Sequence, residues 1–228
     1  MRAKILLTLM VLAGPTHGQL INDESYFDSG FLKFKSELQV CVTYKDTAGL
    51  RKLLADRIYE SKDGCGDCTK DAFMEYLFGE SAAESSWNSM QKILRFGFSR
   101  IEDRYPNSIV PHDKIIFHGP SYLKTVDTDN ELIILGEKIN IREKPSLKSR
   151  IIRQASFEKF KCDCNVLTMT STTYQKADGV NWIEIKLSDG KVGYVVSEYT
   201  SSELIKEMTV AKINGEWKII SFSNPPGC

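Results

Sequence analysis

Six cysteines carry most of the chemistry this chain could perform: Cys41, Cys65, Cys68, Cys162, Cys164 and Cys228. Cys65-Gly66-Asp67-Cys68 stands just ahead of a helix start at Thr69. A helix N-terminus lowers a thiol pKa, so this spacing could serve a redox pair, although it equally suits a small structural disulfide. No βαβ pattern of the thioredoxin kind surrounds it. Cys162 and Cys164 flank Asp163 in a strand-like stretch, which points both sulfurs to one face. Taken together, these two pairs have the four thiolates of a tetrahedral zinc site, but exported thiols oxidise, so disulfides rather than a metal are expected. All six cysteines are disulfide candidates, with fifteen complete pairings open and Cys65 to Cys68 the obvious local one. Cys41 also lies on an apolar helical stripe, where a cysteine is a buried partner or a small core residue.

No other residue set assembles a catalytic centre. Beyond His17 in the leader, only His112 and His118 remain, on either side of the start of a predicted strand. No cysteine stands in a nucleophile motif that either could serve as base. Glu102 and Asp103 are followed by Arg104 and read as a solvated charge cluster, not as converging carboxylates for sugar hydrolysis. No glycine-rich phosphate loop occurs. The chain is therefore expected to have no catalytic residue, no metal and no cofactor. The alternative is a thiol-dependent enzyme or redox protein using Cys65 and Cys68.

The compartment follows from the first residues. Arg2 and Lys4 precede an apolar run from Ile5 to Ala13, and Gly14-Pro15 breaks it before a small-residue exit, so residues 1–18 read as a secretory signal. That run is too short to span a bilayer and no later stretch is apolar enough, so no membrane span is expected. The expected location is secreted or periplasmic. Lys and Arg number 30, as do Asp and Glu; without Arg2 and Lys4 the balance is 28 against 30, a formal charge of −2. Such a surface has no strong pull on nucleic acid, and no nucleic-acid partner is expected.

Periodicity then divides the 228 residues. Helical spacing joins Phe31, Phe34, Leu38, Cys41 and Val42 behind a Ser29 cap, then Leu50, Leu53, Leu54 and Ile58 behind Asp46 or Thr47. Thr69 heads a short helix through Phe73 and Leu77. Ser81-Ala82-Ala83-Glu84 is a capping-box pattern ahead of a helix burying Trp87, Met90, Ile93 and Leu94. A strand is expected at residues 114–118. Near the C-terminus Asn214-Gly215 supplies the two positive-φ positions of a two-residue hairpin turn, which sets Lys212 opposite Trp217, Val210 opposite Ile219 and Met208 opposite Ser221. That ribbon is too small to stand alone, so its apolar face should dock on the helical region.

Between these parts, the strand ending in Asn140-Ile141-Arg142, the Pro145-Ser146 turn, Trp182 with Ile185, and the run Gly190 to Val195 follow one another as in the bacterial SH3-like domain. Residues 132–200 resemble that family. The resemblance implies a self-contained small β-barrel, and short alternating segments such as Ile183, Ile185 and Leu187 suit a closed sheet. The expected fold is α+β: a helical domain over residues 19–128, completed by the hairpin within residues 202–228, with an SH3-like barrel over residues 130–201. The helical opening and closing hairpin also resemble a pattern in secreted bacterial proteins. The resemblance implies recognition of a peptide, cell-wall or protein ligand. Because no catalytic constellation accompanies it, the expected function is that of a non-catalytic binding or adaptor protein of the bacterial envelope or secreted space, with a cell-wall peptide or an envelope protein as partner. Trp182, Tyr194 and Tyr199 are its candidate ligand-binding residues, though Trp182 and Tyr194 suit a core equally well. With so little net charge, binding should rest on aromatic and hydrogen-bond contacts more than on long-range attraction.

Overall fold

The computed structural model describes residues 22–59, 67–79, 82–103, 111–127, 130–162, 174–201 and 206–223. The expected leader, residues 1–18, and Cys65, Cys164 and Cys228 lie outside the described residues.

Asp28, not Ser29, caps the first helix, α1 (Ser29–Tyr44), because its carboxylate accepts the Phe31 N–H at 2.9 Å. An anion at the positive end of a helix is a better cap than a neutral hydroxyl. The stripe Phe31, Phe34, Leu38, Cys41 and Val42 is buried. Lys45 ends the helix in a left-handed conformation (φ 53°), and Asp46 caps α2 (Thr47–Leu53) through the Gly49 N–H. Here the structure departs from the helical reading: the chain leaves α2 at Leu53 and runs on as strand β1 (Leu54–Tyr59). Leu54 and Ile58 are buried all the same.

Strand β2 (Asp67–Thr69) pairs antiparallel with β1, and Thr69 caps α3 (Lys70–Phe78). Ser81 of the capping-box pattern expected ahead of helix α4 (Ala83–Phe96) lies outside the described residues. Ala82 occupies the cap position of α4 with no side-chain hydrogen bond, and Glu84 meets Lys45 at 2.7 Å. Gly97 (φ 71°) ends α4 against Asp23, where a Cβ would come within 2.6 Å of the Asp23 Cβ. Strands β3 (Ser99–Glu102) and β4 (Ile115–Gly119) pair antiparallel; β3 was not legible as a strand.

A second sheet follows, made of β5 (Glu131–Ile133), β6 (Ile139–Arg142), β7 (Ile151–Ala155), β8 (Lys159–Lys161), β9 (Tyr174–Ala177), β10 (Val180–Lys186) and β11 (Val192–Val196). Its order is β5-β8-β10-β11-β6-β7, with β9 added on β10, and it curls into a half-barrel. Among the described residues the path is open, with β5 and β7 as its edges. Leu132, Ile134, Ile141, Ile183, Ile185 and Val195 form its core.

The last two strands, β12 (Glu207–Ile213) and β13 (Glu216–Ser223), return to the first sheet, whose order is β2-β1-β13-β12-β4-β3. They turn through Asn214 (φ 50°) and Gly215 (φ 86°). Lys212 pairs with Trp217 and Val210 with Ile219, but beyond that the register shifts, so Met208 faces Phe222 and not Ser221. Strict alternation after Ile219 would turn Ser221 inward; the irregularity brings Phe222 to the core instead, where it is fully buried. The helices cover this face. Phe31 of α1 stacks on Phe117 of β4 and meets Trp217 of β13 edge-on, at 3.6 and 5.3 Å between centroids. Each such side chain removed from water contributes roughly 1.5–3 kcal/mol. The chain is an α+β protein, and none of the described helices is long and apolar enough to cross a membrane.

One segment serves both cores. Leu132 and Ile134 belong to the second, whereas Ile133 and Leu135 face the first. This is the period of two of an extended chain, with apolar residues on both sides because both sides are covered.

Candidate functional site

Of the three aromatic residues expected to meet a ligand, two are committed inside the protein. Trp182 is 0% exposed and its Nε1 donates to the Ala177 carbonyl at 3.1 Å, so its ring has no free face to offer. Tyr194 is half-buried on β11, and its hydroxyl donates to Glu184 on the neighbouring β10 at 3.0 Å. Burial, then that bond to a carboxylate, pushes the Tyr194 hydroxyl pKa up. Only Tyr199 remains open, at 43% exposure.

Tyr199 ends a short 3-10 turn (Ser197–Tyr199) directly after β11. Its backbone is fixed, because the Leu135 N–H donates to the Tyr199 carbonyl at 2.8 Å and Ile134 bridges to Thr200. The side chain stands at a cleft of about 420 Å³ between that turn and α4. Phe96, Leu135 and Thr200 line it and are all buried, which gives it an apolar floor. Lys92 and Arg95, one helical turn apart on α4, supply cations on one side, and Glu198 supplies a carboxylate on the other. Arg95 lies over the Phe96 ring at 5.6 Å. The neighbouring Glu198 carboxylate raises the Tyr199 hydroxyl pKa, through hydrogen bonding first and then its charge, with burial adding less. A cleft of this size, with an apolar base and few polar groups, is suited to binding and orienting a small ligand or a peptide side chain.

Sequence reasoning reached Tyr199 but not its neighbours. The polar face of α4 marks Lys92 and Arg95 as exposed, yet no local pattern says which loop they will face.

The cysteines divide. Cys41, one of the six disulfide candidates, is a free buried thiol, and its sulfur packs against Gly49 of α2, where a Cβ would come within 2.8 Å. Burial, then the Asp46 charge, pushes this thiol's pKa up, away from the reactive thiolate. Cys68 and Cys162 are buried and neither is a free thiol. The histidines found partners that spacing does not show. His112 Nε2 lies 3.2 Å from Asp103 and His118 Nε2 lies 3.1 Å from Glu207. Among the described residues, no three His, Cys, Asp or Glu side chains gather as a metal would require. Comparison with protein-family models, with curated proteins and with solved structures found no match for this chain.

Proposed function

We propose that this protein is a non-catalytic binding module of the bacterial envelope or secreted space, that residues 130–201 form an SH3-like unit, and that the ligand is a peptide or protein engaged beside Tyr199. The observation that carries this reading is the cleft itself. Tyr199 is open to solvent, anchored through its backbone to Leu135, and set over an apolar floor. Two hydrogen bonds tie down the turn that follows the Asn140-Ile141-Arg142 strand. Arg142 Nη1 donates to the Ser149 carbonyl at 2.6 Å across the turn that holds Pro145 and Ser146, and the Ser146 hydroxyl donates to Asp178 at 2.7 Å. Secretion and disulfides complete the proposal, with Cys68 and Cys162 each bonded to another cysteine. The thiol-enzyme alternative gains nothing from Cys68, which is buried and not a free thiol.

The test is retention of the exported chain on purified cell-wall sacculi and on envelope proteins, compared with a Tyr199→Ala variant. Retention by the parent and its loss in the variant is the expected result. Cleavage of the cell-wall polymer by the purified protein, or unchanged binding by Tyr199→Ala, defeats the reading.

A further inference from the structure

We infer that the cleft between α4 and the Ser197–Tyr199 turn recognises the free C-terminal carboxylate of a peptide, with Arg95 as the carboxylate-binding residue. This rests on the reading of that cleft as the ligand site and adds the chemistry of what enters it.

Charge and shape are arranged asymmetrically. On the α4 side, the Arg95 guanidinium and the Lys92 ammonium border the cleft from adjacent turns of one helix. Among the described residues, no carboxylate forms an ion pair with Arg95, and the Phe96 ring lies behind it. A guanidinium backed by an aromatic ring keeps its donor edge outward, and its planar fork matches the two oxygens of a carboxylate. The floor of Phe96 and Leu135 takes an apolar side chain immediately next to that charge. Across the cleft, the exposed Glu198 carboxylate beside Tyr199 is an acceptor for a peptide N–H or amine. A carboxylate, an apolar side chain and an N–H within the span of a 420 Å³ cleft are the features of the last residues of a peptide. A bare phosphate would use the cations and leave the apolar floor and Glu198 unanswered, and Glu198 would repel it.

The experiment uses the full exported chain, immobilised, and two pools of fluorescently tagged random hexapeptides that differ only in a free or an amidated C-terminus. The acid pool should be retained about tenfold more than the amide pool, the scale of one charge-assisted contact. Arg95→Gln should abolish that preference without changing the melting temperature, since the side chain is exposed. Arg95→Lys should restore part of it by keeping the charge without the fork. Equal retention of both pools, lost in Tyr199→Ala, overturns the carboxylate inference and leaves the binding reading standing. Retention of neither pool, with no binding to sacculi or envelope proteins, overturns both. An acid preference that persists in Arg95→Gln overturns the assignment of Arg95 to a peptide carboxylate.

Discussion

The indole Nε1 of Trp217 donates to the Asp28 carboxylate at 3.2 Å, joining the cap of the first helix to the last strand of the chain. The same carboxylate accepts the Phe31 N–H, and its other oxygen lies 3.5 Å from Lys212 Nζ. Lys212 in turn sits over the Trp217 ring at 5.0 Å. One acidic side chain thus caps the start of a helix and anchors the turn between β12 and β13.

Asp28→Ala should therefore cost more than a lost cap. Removing a capping side chain costs about 0.5–2 kcal/mol, and leaving the Trp217 N–H without its acceptor costs roughly 1–3 kcal/mol more. Chemical denaturation should show a loss of about 2–4 kcal/mol. Trp217→Ala, which also empties the space beside the stacked Phe31 and Phe117 rings, should lose on the order of 3–5 kcal/mol. A cost below about 1 kcal/mol for Asp28→Ala would mean that the three contacts contribute little to folding.

Acid should destabilise the fold through Asp23 and Asp28. Burial alone would raise the Asp23 pKa, but bonds from Lys35, Ser25 and the Phe98 N–H outweigh it and hold the carboxyl below its usual range. Asp28 has the same balance: burial raises it, and bonds from Phe31 and Trp217 with the Lys212 charge lower it further. Because both folded values are depressed, their contribution is complete above the ordinary Asp pKa of about 3.9 and is lost as pH falls from there through the lowered values. Stability measured from neutral to acid pH should drop in that window, and Asp23→Asn with Asp28→Asn should flatten the drop. A double variant with the parent's acid slope would assign the drop to other carboxylates.

Gly193 is required by a close approach, not by its backbone angle. A Cβ there would come within 2.5 Å of the Ile141 Cγ2 on β6. Gly193→Ala should cost about 1–3 kcal/mol by overpacking, and less in an Ile141→Ala background, where the obstructing methyl is gone. Additive costs in the double variant would rule out that contact as the cause.

Thiol counting tests the cysteine assignment. With Cys41 free, five of the six cysteines remain, and an odd set leaves another unpaired. Exported protein unfolded without reductant should therefore release two thiols if Cys68 and Cys162 take separate partners, and six with reductant. Six without reductant would defeat the disulfide proposal; none would show that Cys41 is bonded.

The apolar stripes of α1 and α4 were legible from spacing alone, because a 3.6-residue period places Phe31, Phe34 and Leu38, or Trp87, Met90 and Ile93, on one side whatever lies opposite. Asn214-Gly215 was legible for the same local reason: few residues accept positive φ, and a two-residue turn sets the pairing next to it. Leu54 and Ile58 were not, since their spacing suits the end of a helix as well as a strand. The parallel pairing of β1 with β13, Leu54 beside Ile219, chose the strand. The irregularity that turns Phe222 inward has no marker in the sequence, because it exists to fit a helical layer supplied from the other end of the chain. Tyr199 could be picked out as a candidate, but its partners could not. Lys92 and Arg95 reach it only because Leu135 of one segment bonds the Tyr199 carbonyl while its side chain packs in the core beneath α4. Local backbone preferences set the elements, and long-range pairing and packing decided which of them meet.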